Sequence, residues 1–210
     1  MAKKSSELAG RVQEVVSIQR AGRTEPPETT SRNLLNLAGP WVGIQRTSTD
    51  GPVPVTEAGL AGDEQADLTV HGGLAKAVYA YPAEHYPFWQ TVRAQARAGL
   101  WDEAPPPGLL GENLTLRGLL ETQVWMGDRL EFPGCTLVVS EPRYPCGKLN
   151  AALGFPQAGK MMWQSGFCGF YLAVHRPGNI AAGDAFSVLP GPREVSIAEL
   201  FRARRPAQPR

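Results

Sequence analysis

The sequence predicts a mostly β protein, a barrel or a sandwich with a few peripheral α-helices. Three observations favour this class. Short apolar runs are each closed by Gly, Pro or Asp, as expected of strands joined by turns. Glycine (23 residues) and proline (19 residues) make up one fifth of the 210-residue chain, which indicates a turn-rich fold. Helical periodicity is confined to three segments.

The strands are predicted in chain order. Apolar β-branched positions without a preceding helix cap favour a first strand over residues 11–19. An irregular stretch with two consecutive prolines follows, and we expect residues 22–42 to form a loop insertion. The remaining strands are predicted within the apolar runs at 52–55, 76–81, 109–116, 122–132, 135–140, 169–178 and 184–189.

The helices are predicted at 87–100, 148–154 and 196–204. Pro87 stands in the first turn of the first helix, where proline is tolerated. Ser196 and Glu199 have the spacing of a capping box for the last helix. We therefore expect one domain over residues 1–192, followed by a short helix and a frayed tail over 193–210.

Composition excludes several classes of protein. The 21 basic and 20 acidic residues leave a net charge of +1, which argues against nucleic acid or an anionic membrane as partner. No run of about 18 apolar residues could span a bilayer. The first ten residues lack the apolar core of a signal peptide. Three cysteines are too few for a secreted disulfide framework, so we expect a cytoplasmic protein.

The first candidate site is a glycine-rich turn at His71, Gly72 and Gly73. It follows Asp63 and leads directly into an apolar strand that carries Lys76. Two consecutive glycines let backbone N–H groups approach an anion closely. The alternative is a plain hairpin turn whose histidine binds a neighbouring carbonyl. The turn matches neither the dinucleotide-binding nor the phosphate-loop pattern.

The second candidate is the pair Glu112 and Asn113 at the start of a predicted strand. A carboxylate beside a carboxamide offers acceptors and donors that could recognise the edge of a heterocycle. The alternative interpretation is structural, with Glu112 paired to a surface arginine and Asn113 forming a turn.

The third candidate is Cys146, which directly follows a predicted strand and its short loop. Pro145 and Gly147 flank it and would display the thiol on a shaped loop. Arg143 and Lys148 are close in sequence, and cations favour the thiolate form that acts as nucleophile or metal ligand.

The other cysteines and the histidines are less informative. Cys168 lies inside an apolar run and is predicted to be buried, and Cys135 is compatible with either role. The spacing of cysteines and histidines fits no zinc motif.

Together the three candidates form one ordered pattern. It comprises G-L-x-G-D with H-G-G-x-x-K-A-V-Y-x-Y-P-x-E-H-Y, then G-E-N-L-T with M-G-D-R-L, then V-S-E-P-R-x-P-C-x-K-L-N. This pattern, over residues 59–186, resembles the MOSC family, named after the C-terminal domain of molybdenum cofactor sulfurases, and within it the YiiM-like bacterial stand-alone group.

The resemblance implies a β-barrel core that binds molybdenum cofactor (molybdopterin), with Cys146 as the molybdenum ligand. A soft thiolate suits such a metal. It also implies catalytic roles for Cys146, Glu112 and Asp63, and Asp63, Glu112 and His71 are the candidates for delivering protons. The remaining positions that match cofactor-binding ones are Arg46, His71, Gly72, Gly73, Lys76, Asn113, Arg143, Lys148 and Asn150.

The activity that the resemblance implies is reduction of N-hydroxylated compounds such as hydroxylamino-purines. A separate flavin or iron–sulfur protein would donate the electrons. Two alternatives stay open: a sulfur carrier that transfers a persulfide from Cys146, and a cofactor carrier without turnover.

Overall fold

The structure is a computed structural model that describes residues 13–21, 47–63 and 73–206. In this part of the chain, strands outnumber α-helices by eleven to four. The strands are Glu14–Arg20 (β1), Thr47–Ser48 (β2), Val53–Thr56 (β3), Gly59–Leu60 (β4), Val78–Pro82 (β5), Leu114–Arg117 (β6), Arg129–Glu131 (β7), Thr136–Pro142 (β8), Phe170–Arg176 (β9), Gly178–Ile180 (β10) and Ser187–Leu189 (β11). The helices are Tyr86–Gln95 (α1), Gly147–Leu153 (α2), Ala158–Ser165 (α3) and Ile197–Ala203 (α4).

The main sheet runs in the order β11-β7-β8-β9-β5-β6-β1-β2. Only β5 and β6 pair in parallel; the other pairs among the described strands are antiparallel. The sheet curls so that β1 meets the segment just before β11: Val15 N donates to Asp184 O at 3.0 Å and Phe186 N donates to Gln13 O at 3.0 Å. A curled sheet of this kind leaves few free edges. The predicted mostly β, barrel-type fold is confirmed.

A second, smaller sheet has the order β10-β3-β4. Strand β10 pairs with β3 from Gly178 to Ile180. Only one residue separates β10 from the end of β9, so this small sheet is attached directly to the main one.

The core fills the interior of the curled sheet. Alternate positions of the strands point inward, as in β6, where Leu114 and Leu116 are fully buried. Helix α1 covers the core with Trp89, whose side chain is also fully buried. Truncating residues of this size in a core typically costs about 2–5 kcal/mol, so these positions carry much of the stability.

Three predicted strands cover half or less of their apolar runs, and in 184–189 the strand is Ser187–Leu189. In 109–116 the strand begins only at Leu114, because Glu112 binds the backbone of the preceding turn. In 122–132 only Arg129–Glu131 forms a strand; a 3-10 turn over Glu121–Gln123 and a turn closed by Asp128 precede it. In 109–116 and 122–132, some apolar residues lie in turns and are nevertheless buried. Apolar periodicity alone does not distinguish such turns from strands.

The helices match the predictions with two exceptions. Helix α1 stops at Gln95 rather than near residue 100, because Arg97 adopts a positive φ of 58° that ends the helix. Helix α3 was not predicted; its eight residues are too few for the apolar spacing to stand out. The predicted capping box of α4 is confirmed, since Glu199 N donates to Ser196 Oγ at 3.2 Å and Ser196 N to Glu199 Oε2 at 2.8 Å.

A buried polar pair lies where α1 meets the sheet. His85 Nε2 is 2.7 Å from Glu121 Oε2, and the imidazole stacks on Phe167 with ring centres 3.8 Å apart. The second oxygen of Glu121 accepts from Gly169 N at 2.8 Å. The pair therefore holds the segment before β9 against the start of α1.

The expected loop insertion at 22–42 lies outside the described residues. Within the described part, no helix combines the length and apolar character needed to cross a bilayer.

Candidate functional site

Cys146 lies between the end of β8 and the start of α2. Its backbone is extended (φ −125°, ψ 170°) and its carbonyl accepts the first-turn hydrogen bond from Leu149 N at 3.0 Å. The thiol is free and partly exposed, whereas Cys135 and Cys168 are fully buried. Burial raises the pKa of Cys135 to about 11 and that of Cys168 well above its usual value. Cys146 is therefore the accessible cysteine of the chain.

A cavity of about 500 Å³ opens beside this thiol. This volume is within the range of roughly 300–1,000 Å³ that is typical of small-molecule sites. Helices α2 and α3 and the segment that follows α4 form its walls. The lining residues are Pro145, Cys146, Gly147, Asn150, Gly159, Lys160, Trp163, Gln164, Arg205 and Pro206.

Aromatic stacking holds one wall of the cavity in place. Trp163 of α3 stacks on Phe201 of α4 with ring centres 4.5 Å apart, and Tyr144 stacks on Phe201 at 5.8 Å. The guanidinium of Arg204 lies 4.6 Å from the centre of the Tyr144 ring. This stack joins the cysteine loop, α3 and α4 into one unit.

Arg143 precedes the thiol by three residues and is 5% exposed. Its Nη1 is 3.5 Å from Met162 Sδ, a weak acceptor, and its guanidinium lies 5.7 Å from the centre of the Tyr79 ring. No carboxylate within the described ranges forms an ion pair with it. A buried cation without a counter-ion is unfavourable unless an anionic ligand completes it.

The guanidinium is charged at neutral pH because arginine has a high pKa of its own. Burial acts to lower the pKa of Arg143, but Tyr79, Tyr171 and Cys146, where ionised, would raise it, and the net change is upward. The Tyr79 hydroxyl donates to Cys168 O at 2.8 Å, and burial raises its pKa well above the usual value, so it stays protonated. A buried positive charge therefore lies at the base of the cysteine loop, although Arg143 is not among the residues that line the cavity.

Glu112 is fully buried, and its carboxylate binds the backbone of the loop that precedes it. Its carboxylate accepts hydrogen bonds from Gly108 N (2.7 Å), Leu110 N (3.2 Å) and Thr115 Oγ1 (3.2 Å). The hydroxyl of Tyr86 donates to it as well; burial first and the Glu112 charge second raise the pKa of that phenol. Glu112 does not line the cavity, and no arginine of the described residues forms an ion pair with it.

Asn113 and Asp63 are bound to each other. Asn113 Nδ2 donates to Asp63 Oδ2 at 2.8 Å, and Asn113 Oδ1 accepts from Tyr79 N at 2.9 Å. The other oxygen of Asp63 accepts from Ala21 N at 2.7 Å. Both side chains therefore connect β1, β5 and the turn after β4, and neither lines the cavity.

The remaining predicted site residues divide between the cavity and its surroundings. Asn150 lines the cavity, and its Oδ1 accepts from Gly159 N at 2.9 Å. Lys76 pairs with Glu141 at 3.6 Å, and Lys148 is exposed on α2 outside the cavity lining. Gly73 is exposed, with a φ of 96° that favours glycine. Predicted residues Arg46, His71 and Gly72 lie outside the described residues.

Sequence reasoning missed the far wall of the cavity. Lys160, Trp163 and Gln164 lie on the unpredicted helix α3, and Arg205 lies in the segment expected to be a frayed tail. The only local signal is the i, i+3, i+4 spacing on α3, which is too short to predict a site.

The reactive groups of the site are one thiol, that of Cys146, and the cationic side chains around it. Among the described residues, no three His, Cys, Asp or Glu side chains come together as a metal cluster. Any metal held here would therefore bring most of its ligands with it. Molybdenum cofactor, whose metal already has sulfur ligands and which ends in an anionic group, fits this combination of one thiol and a buried cation.

Comparison with known proteins places the chain in a family. The MOSC domain profile matches residues 67–187. Protein YiiM of Escherichia coli (strain K12) is 36% identical over 157 residues, which cover 74% of this chain and 67% of that protein. A Gibberella moniliformis protein named reductase is 35% identical over 166 residues, 77% of this chain and 28% of that protein.

Comparison with solved structures supports the same family. The crystal structure of YiiM from Geobacillus stearothermophilus has a TM-score of 0.67 and 29% identity, with 90% of this chain and 82% of that chain covered. The matched profile spans more than half of the sequence and includes the cysteine loop. The chain therefore belongs to the MOSC domain family and has a YiiM-like fold.

Proposed function

We propose that this protein holds molybdenum cofactor through the Cys146 thiol and reduces N-hydroxylated compounds of the hydroxylamino-purine type. The observation that carries the proposal is the placement of an accessible cysteine at a 500 Å³ cavity, three residues from a buried guanidinium without a carboxylate partner in the described chain. Family membership and the fungal relative named reductase support an enzymatic role.

The residues of the chain have distinct tasks in this proposal. Cys146 would ligate the metal, and Arg143 would neutralise anionic charge on the cofactor from a position where water cannot screen it. Asn113 and Asp63 would brace the strands beside the site through their mutual hydrogen bond. Glu112 would keep the turn before β6 rigid rather than deliver protons, because its oxygens are occupied by four donors.

The bound cofactor supplies the two-electron chemistry. In the overall reaction the N–O bond of R–NH–OH breaks, two electrons and two protons are taken up, and R–NH2 and water form. The electrons come from a separate flavin or iron–sulfur protein. The protein excludes bulk water on one side through the Tyr144, Trp163 and Phe201 stack.

The test measures metal and function on the same sample. The protein is expressed in a host that makes molybdenum cofactor and is analysed for molybdenum, for oxidised-pterin fluorescence and for reduction of an N-hydroxylated purine. We expect Cys146→Ser to lower the molybdenum content by about tenfold or more and to abolish reduction, because a hydroxyl is a poor substitute for a thiolate ligand.

The matched control is Cys135→Ala, which removes a buried thiol and leaves Cys146 in place. This variant should retain molybdenum and reductase activity. Wild-type protein without molybdenum or pterin from a competent host would contradict the proposal, as would full activity in Cys146→Ser.

A second function, sulfur transfer through a Cys146 persulfide, is supported by one observation. The other two cysteines are buried, so a persulfide on Cys146 has no accessible thiol of the same chain to resolve it. Mass spectrometry after incubation with a cysteine desulfurase tests this function. Absence of a sulfur adduct on Cys146 would exclude it.

A further inference from the structure

The loop that follows helix α1, residues 97–103, exposes two large apolar side chains next to each other. Leu100 is 63% exposed and Trp101 is 65% exposed. Among the described residues, the other exposed large apolar side chains are Leu74 and Leu189, which lie far from this loop in sequence. Tryptophan is mostly buried in folded proteins, and a contiguous apolar patch on the surface marks an interaction site. We call this segment the Trp101 loop.

Hydrogen bonds to α1 hold the backbone of the Trp101 loop in place. Gln90 Nε2 donates to Trp101 O at 2.6 Å, and Arg93 Nη2 donates to Ala98 O at 2.7 Å. Pro105, just beyond the loop, is buried. The exposed indole is therefore presented by an ordered segment, and a partner that contacts it pays little for ordering the loop.

Charged residues of opposite sign flank the apolar pair. Arg97 precedes it, Asp102 and Glu103 follow it, and all three are exposed. None of the three forms an ion pair with another of the described residues. The two carboxylates would be repelled by anionic lipid, so the patch is poorly suited to a negatively charged membrane.

The Trp101 loop is separate from the cavity beside Cys146. None of residues 97–103 lines that cavity. The loop is nevertheless linked to the far end of α2, because Arg93 Nε donates to Leu153 O at 3.2 Å. A partner bound to the loop thus occupies a different surface from the ligand of the cavity.

We propose that the Trp101 loop binds the same loop of a second copy of this chain across a twofold axis. Two copies of one segment that meet around a twofold axis perpendicular to the segment run antiparallel. Arg97 of one copy then lies opposite Asp102 and Glu103 of the other, and the apolar pairs meet between these charges. A single segment with a cation, an apolar pair and carboxylates in this order contains both halves of the charge complementarity, which favours a second copy over an unrelated protein.

The size of the patch predicts a weak, reversible dimer. Standard interfaces bury roughly 800 Å² on each partner, which is more than two apolar side chains and their flanking charges supply. We expect a dissociation constant of about 10–500 μM.

The first experiment is sedimentation equilibrium of the full chain from about 10 μM to about 1 mM. We expect wild type to change from monomer to dimer over this range. W101A should raise the dissociation constant about tenfold or more, because a tryptophan at the centre of an interface contributes strongly to binding. The matched control L189A removes another exposed apolar side chain and should dimerise like wild type.

The second experiment exchanges the charges. R97E and D102K/E103K should each dimerise more weakly than wild type, because like charges then face each other across the axis. An equimolar mixture of the two variants should form a heterodimer at least as tight as the wild-type dimer, since one copy supplies only carboxylates and the other only cations. Added salt should weaken this heterodimer.

Three results would overturn the inference. They are a wild-type protein that stays monomeric up to about 1 mM, a dimer that W101A leaves intact, and a mixture of R97E with D102K/E103K that does not associate. Binding of wild type but not W101A to vesicles of phosphatidylcholine, without dimerisation, would assign the loop to a lipid surface and overturn it as well. None of these measurements depends on molybdenum or on turnover, so the proposed function is tested separately.

Discussion

Arg143 lies in an environment that is unfavourable for stability. Its guanidinium is 5% exposed and contacts a thioether and an aromatic ring, and no carboxylate of the described ranges pairs with it. Transfer of an unpaired charge out of water costs several kcal/mol even after the surroundings relax. A side chain in such a position is explained better by a ligand than by folding, since proteins accept local instability at functional sites.

This argument predicts opposite effects of one substitution on stability and on ligand retention. Arg143→Met replaces the cation with an apolar chain of similar length, so the free energy of unfolding of the apoprotein should stay equal or rise by about 1–3 kcal/mol. The same variant should lose bound cofactor. Urea denaturation of apoprotein and molybdenum analysis of loaded protein measure the two effects.

Arg143→Lys is the control for charge, since it keeps the charge without the planar fork of donors and should retain part of the cofactor. If the apoprotein of Arg143→Met is destabilised by more than about 2 kcal/mol, the guanidinium has a structural role and the interpretation is wrong.

At the scale of elements, helix α4 connects the end of the described chain to the site. Its capping box starts the helix at Ser196, and its buried residue Phe201 stacks on Trp163 and Tyr144. The cavity wall therefore depends on a seven-residue helix, which is too short to be stable by itself and needs both its cap and its packing.

We expect Ser196→Ala to lower the free energy of unfolding by about 1 kcal/mol and to speed hydrogen exchange of the α4 amides, because Glu199 N loses its acceptor. Urea denaturation and exchange mass spectrometry give these values. Ser196→Thr keeps the hydroxyl that accepts from Glu199 N and donates to Glu199 Oε2, so it should behave like wild type. Unchanged exchange in Ser196→Ala would show that packing of Phe201 alone maintains the helix.

At the scale of the whole molecule, Asn113 joins segments that are far apart in sequence. Its side chain binds Tyr79 N of β5 and Asp63 of the turn after β4, and its backbone carbonyl accepts from Gln19 N of β1 at 2.8 Å. The barrel and the turn that carries Asp63 are thus connected through one amide group.

A comparison of two substitutions tests this role. Asn113→Ala removes the side-chain bonds and should lower the free energy of unfolding by about 2–3 kcal/mol. Asn113→Asp keeps the shape but places a second carboxylate against Asp63, so its loss should be larger despite the smaller change in volume. Equilibrium unfolding at neutral pH measures both. If Asn113→Asp is the more stable of the two, repulsion between residue 113 and Asp63 is too weak to dominate, and the interpretation is wrong.

The sequence by itself determined the features that arise from neighbouring residues. Alternating apolar residues and closing turns indicated the β class, and Ser196 with Glu199 indicated the capping box, because both depend on side chains a few positions apart. Cys146 was recognised in the same way, from the proline, glycine and cations around it. Its accessibility and the burial of Cys168 agree with that reasoning.

Only the tertiary structure decided which distant segments meet. It brought Trp163 of α3 and Arg205 to the same cavity as Cys146, buried Arg143 without a carboxylate partner in the described chain, and turned Glu112 inward to bind its own loop. None of these features has a local signature, because burial and pairing depend on contacts between elements whose separation in sequence is unrelated to their distance in space. The chemistry of the Cys146 thiol could thus be predicted from its neighbours in sequence. The shape and charge of the cavity around it depend on the packing of helices on the curled sheet.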